Sequence, residues 1–160
     1  MKQSYSKPTI KLIAMIDAFI KIYGRDLDRL KKEIELFSNE NNLWRTAGNV
    51  TNSAGNLCLH LVGNLNTYVG KNMGHSEYVR DRDAEFNLKN VPKEKLVQQV
   101  AETKEIVLST LKIMTADDLK QSHVEKVFDY EMTNEFFLIH LVAHLSYHLG
   151  QINYIRRILE

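Results

Sequence analysis

The sequence predicts an all-α protein, a four-helix bundle with a long connection between its second and third helices. Three observations predict it. Apolar residues recur at steps of three and four along four long segments. Only 2 prolines and 7 glycines interrupt the 160 residues. No internal repeat, low-complexity tract or linker divides the chain, so residues 1–160 read as one bundle domain.

The first helix is expected over residues 8–37, where Leu12, Ile16, Phe19, Tyr23, Leu27, Leu30, Ile34 and Phe37 share a face; Gly24 could bend or split it. Residues 38–49 are rich in Asn, Gly and Ser and read as a loop, with Trp44 anchoring it to the core. A second helix starts near Thr51–Ser53, any of which could cap it, and runs to about Val69. Residues 70–90 form the long connection, with room for a helical turn. Pro92 suits the first position of a third helix, whose face is Leu96, Val100, Thr103, Val107, Leu111 and Met114. Residues 115–118 look like the cap of a short turn, and 121–132 like an extended stretch. Thr133 can cap a last helix that ends with Arg156 and Arg157 at its negative pole.

Composition narrows the function. Lys and Arg number 21 against 20 Asp and Glu, a net charge of +1, so no broad basic field invites nucleic acid. Lys11, Asp17 and Lys21 break the apolar stretch 10–22, so a signal peptide is not expected. Residues 136–149 are the most apolar window, but they hold three histidines and are too short to span a bilayer, so the expected place is the cytoplasm. One cysteine excludes a disulfide framework and a Cys-rich zinc module.

The 6 histidines are the chemical signal. His140, His144 and His148 are four apart on the last helix, and each step of four turns only about 40°, so they rise along one face beside Leu141, Leu145, Ile152 and Ile155. A pair four apart can share a transition metal. A third ligand must come from another helix, and His60 lies on a polar stripe with Asn56 and Asn64 in the Leu- and Val-rich second helix. Neutral imidazoles suit Zn, Ni, Fe or Cu. The spacing alone leaves two readings open, a shared metal site or hydrogen-bonded core histidines.

Other candidates carry less. Cys58 is about 200° around the helix from His60 and reads as a small core residue. Leu145 stands where a helical metalloprotease places its glutamate. His75 and His123 fall in expected loops and read as solvated, as does the charged run from Arg80 to Glu85. Gly63, Gly70 and Gly74 do not make a phosphate-binding loop. Gly150 inside the last helix costs about 1 kcal/mol against alanine, a hint of close packing or room for a ligand.

Three segments, LCLHLVGNL (57–65), YVRDRDAEF (78–86) and HLSYHLGQI (144–152), resemble the DinB/YfiT-like superfamily, and a small bacterial branch of it in particular. The resemblance covers nearly the whole chain. It implies a four-helix bundle with a divalent metal, commonly Zn or Ni, held by His60, His144 and His148. His140 falls outside the motif and is left as core or support. Relatives are often dimers and include transferases that use a low-molecular-weight thiol, as well as metal-dependent hydrolases.

An ion held by three neutral imidazoles keeps its +2 charge and an open position, which lowers the pKa of a bound water or thiol. The expected function is therefore metal-dependent thiol transfer or hydrolysis on a small-molecule substrate, by a homodimer. Asn56, Asn64, Tyr147 and Gln151 are candidates to support the ligands or touch substrate, and no residue is nominated as general base. The alternative is a non-catalytic bundle whose metal only ties helices together. The lone cysteine means that any thiolate arrives with the substrate.

Overall fold

Four long helices pack side by side; three of them bury one face, as the periodicity predicts, and the second is buried on every side. The computed structural model describes residues 7–160, with side chains from Ala14 onward, so Leu12 lies outside the described side chains. Helix α1 spans Lys7–Glu35, α2 Ala54–Leu65, α4 Lys93–Ile113 and α6 Asn134–Leu159, with short helices α3, Arg82–Asn87, and α5, Ala116–Lys120, between them. A 3-10 turn, Glu40–Trp44, precedes α2, and a π-helical turn, Asn66–Lys71, extends it. Among the described residues there is no strand, and the expected extended stretch reduces to one isolated bridge between Ser122 and Thr133.

The helix ends follow their capping chemistry. Ser53, Asp81 and Thr133 each accept a hydrogen bond from the backbone three residues on. Thr115 and Asp118 cap each other reciprocally at α5. Gly24 does not interrupt α1, because one glycine costs about 1 kcal/mol and the flanking Tyr23 and Leu27 are fully buried.

α1 lies against α4 and α6, and α2 against the same two, so the first two long helices are diagonal and the topology is not sequential. The connection through α3 makes that possible, since α3 packs on α2 before the chain crosses to α4. The core is continuous, with Tyr23, Leu30 and Ile34 of α1 against Leu96, Val107 and Leu111 of α4 and Leu138, Leu145 and Ile152 of α6. The Tyr23 hydroxyl donates to the Leu138 carbonyl at 2.8 Å, which satisfies the one polar atom of the largest buried side chain on α1. Trp44 packs half-buried on this core. The arrangement sets the polar stripe of α2 opposite the histidine face of α6.

Candidate metal centre

Three imidazoles meet between α2 and α6. His60 Nε2 stands 3.2 Å from His144 Nε2, which stands 3.1 Å from His148 Nε2. The ring centroids are 4.5 to 5.3 Å apart and the rings lie nearly perpendicular to one another. His60 is buried, and His144 and His148 are half-buried.

The outer nitrogens explain why the inner ones are bare. His60 Nδ1 lies 3.0 Å from a Glu85 carboxylate oxygen, and His148 Nδ1 lies 2.6 Å from the Gln151 amide oxygen. Both partners only accept, so each Nδ1 carries the proton and, in a neutral ring, leaves Nε2 as a lone pair. One proton on His144 Nε2 satisfies one of its two neighbours and not the other. A divalent cation would satisfy all three: nitrogens bound to a tetrahedral zinc at about 2.0–2.1 Å stand about 3.3 Å apart, within a few tenths of the two separations from His144 Nε2, and the three ligand atoms lie within 4.8 Å of one another. The donor set therefore fits the ion the family resemblance implies. Burial, then the neighbouring imidazoles of His148 and His60, push His144 down to about 3, and burial also lowers His148.

Glu85 is the residue the sequence reading missed. It sits on α3 and is 5% exposed, and Arg80 grips it with two bonds of 2.6 and 2.8 Å. Burial opposes ionisation of Glu85, but the hydrogen bonds from His60 and Arg80 outweigh it and hold the carboxyl below its usual range. The Arg80 guanidinium also covers the Tyr68 ring at 5.6 Å. The run from Arg80 to Glu85 is thus not a solvated segment. Its two ends turn inward and support His60, while Arg82 stays exposed. Gly63 was the available signal, because a side chain there would overlap the Glu85 carboxylate.

The other candidates divide. Gln151 holds His148. Asn56 donates to the carbonyls of Glu85 at 2.9 Å and Leu88 at 3.0 Å, so it docks α3 from behind the triad. Asn64 lines a cavity of about 180 Å³ over His60 and His144, shared with Tyr68, Arg80, Arg82 and His140, and its buried Oδ1 has no hydrogen-bond partner among the described residues. Tyr147 lays its ring edge-on beside His148 at 5.2 Å but is 65% exposed. His140 stacks on Phe137 and does not join the three converging nitrogens.

One expectation is corrected, one is narrowed and one holds. His123 is not solvated: it is buried, 3.0 Å from the Asn134 side-chain oxygen and packed on Phe137. Its loop is drawn in because His123 N–H donates to the Met132 carbonyl. Among the described residues Gly150 meets no close packing, since a Cβ there would find nothing within 4 Å, so of its two expected reasons only open room is left. Cys58 is fully buried with its thiol pushed up to about 12, which keeps it out of the site chemistry.

These features define a class: an all-α bundle of DinB-like fold with three histidines close enough together that they could hold a metal ion. Residues 14–160 match the family described as a protein of unknown function, DUF1572, and the chain belongs to that DinB-like family. Among solved structures it is similar to a DinB-like protein from Bacillus cereus ATCC 10987, with a TM-score of 0.68 and 17% identity over 88% of this chain and 90% of that one. No curated protein matches the chain. Among the described residues no helix is long and apolar enough to cross a membrane.

Proposed function

We propose that this chain is a cytoplasmic, homodimeric metalloenzyme of one domain, in which His60, His144 and His148 hold a divalent ion, Zn or Ni. It would transfer a low-molecular-weight thiol to an electrophilic small molecule, or hydrolyse one. The single observation that carries this reading is the convergence of three imidazoles through their Nε2 atoms, two of them on rings whose Nδ1 faces an acceptor oxygen of Glu85 or Gln151. When bound, the ion supplies Lewis acidity that favours the deprotonated form of a thiol or water.

The protein's own groups then have defined tasks. Glu85, fixed by Arg80, keeps His60 in one tautomer and one orientation, and Gln151 does the same for His148. Asn64 and Arg82 line the cavity over the triad, where an amide oxygen and a guanidinium orient a polar substrate. The thiol must come with the substrate, because Cys58 is buried away from the cavity.

The test is to strip the purified protein with a chelator, reload it with Zn or Ni, and screen thiol transfer to an electrophilic substrate and ester hydrolysis. Saturable turnover that appears on reloading and vanishes in His144→Ala supports the proposal. Metal that raises the melting temperature with no turnover in either assay would instead assign the ion a structural role.

A further inference from the structure

α6 has a second face that the described residues leave largely exposed. Phe136, Ile139, Tyr147, Tyr154 and Ile158 are 45 to 67% exposed, while Leu138, Leu141, Leu145 and Ile152 on the other side are buried. Single exposed apolar residues are ordinary. These five are not scattered: with Ala143 and Gly150 they recur at steps of three and four, the seam spacing of helices that pair lengthwise. From Phe136 to Ile158 the stripe runs roughly 33 Å, the scale of a standard interface.

Gly150 belongs to this stripe. Within the chain nothing requires glycine there: its surroundings are open and its φ is not positive. A glycine in mid-helix is costly, and its use is to let another backbone come near.

The stripe is also symmetric about Tyr147 to within one residue. An antiparallel copy, related by a two-fold axis through Tyr147, sets Phe136 beside Ile158, Ile139 near Tyr154, Ala143 near Gly150, and Tyr147 beside itself. Every contact off the axis then occurs twice, as an isologous interface requires. A cavity of about 360 Å³ adjoins Tyr154 and Ile158, walled by Val50, Leu57 and Ile155. In this arrangement the partner's Phe136 arrives at it. The same orientation brings Glu135 of the first turn toward the basic last turn, where Arg157 stands. Among the described residues neither of these two has an ion-pair partner in its own chain. The charges are complementary in the antiparallel pair and would be like-on-like in a parallel one.

We infer that this face of α6 is the seam of a two-fold homodimer, with helices antiparallel and crossing at Ala143, Tyr147 and Gly150. The inference rests on the homodimer reading above only in that the chain pairs with itself. The histidine face, about a quarter turn away on the same helix, stays within each subunit.

Cross-linking and sedimentation equilibrium on the full chain test it. Tyr147→Cys treated with a short bismaleimide gives a covalent dimer, because position 147 meets its own copy. Val79→Cys, exposed away from the seam, stays single, and the buried Cys58 does not compete. Phe136→Glu and, as a second variant, Gly150→Arg each raise the dimer dissociation constant by at least about tenfold, while Ile113→Glu leaves it unchanged. A dimer that neither cross-links through position 147 nor responds to Phe136→Glu or Gly150→Arg overturns the seam alone. A wild-type chain that is monomeric across the micromolar range overturns the seam and the homodimer reading together.

Discussion

The two sides of the bundle are made of different materials. Between α1 and α4 the buried positions are mostly apolar, with Leu27, Leu30 and Ile34 on one helix and Val100, Val107 and Leu111 on the other. Between α2 and α6 the facing positions hold Asn56, His60, Asn64, His144 and His148, with Glu85 brought in by α3. The first side stabilises the fold through close packing. The second keeps polar atoms that no described residue satisfies, His144 Nδ1 and Asn64 Oδ1 among them. An unsatisfied buried polar atom costs about 1–3 kcal/mol, which the aliphatic side offsets. The difference teaches that one helix pair supplies stability so that the other can keep a buried cluster of polar side chains.

Substitutions should separate the two sides. Leu30→Ala or Leu111→Ala in the fully packed half should lower unfolding free energy by about 2–5 kcal/mol, read by chemical denaturation, with metal per folded chain unchanged. A lowered metal content in the folded fraction would show that the halves are not separable.

Metal removal probes the other side. Zinc at a hundredfold excess over its dissociation constant should stabilise the wild type by about 2.7 kcal/mol. It should leave the melting temperature of His144→Ala where it was. Calorimetric scans with and without chelator read both.

The supports of the triad come next. Glu85→Gln should weaken metal binding by about 10–100-fold, measured by competition with a zinc indicator. Gly63→Ala should copy part of that effect, because the new methyl displaces the same carboxylate. Equal affinity in Glu85→Gln would remove Glu85 from the account.

The smallest effect lies on α1. Asp26 is 2% exposed; burial opposes its ionisation, yet bonds and charge from Arg25, with Ser146 and Arg29, hold its carboxyl below the usual range. A depressed folded-state pKa gives stability that is complete above the unfolded value of about 3.9 and is lost as pH falls through the folded value. The wild type should therefore lose stability below about pH 4 more steeply than Asp26→Asn. Parallel slopes in denaturant titrations would contradict this.

The histidines were legible because spacing by four is a local property of one helix, and His60 because Asn56 and Asn64 mark its stripe. Capping by Ser53, Thr115 and Thr133 was legible for the same reason. Glu85 was not, since its partner His60 is 25 residues away and the contact exists only when α3 packs on α2. In sequence, Arg80 and Glu85 look like any charged run; burial reverses their meaning. His123 escaped for a related reason, as a bridge between Ser122 and Thr133 folds its loop against Phe137. Gly150 was visible as an oddity, but its surroundings had to be seen before close packing within the chain could be dropped.

The central claim is that three imidazoles from two helices hold one ion. The most direct measurement is the metal content of protein stripped, reloaded with zinc and desalted, for the wild type and for His60→Ala, His144→Ala and His148→Ala. The account predicts one ion per wild-type chain and a loss in each of the three variants. A wild type that retains none, or variants that retain a full ion, would contradict it.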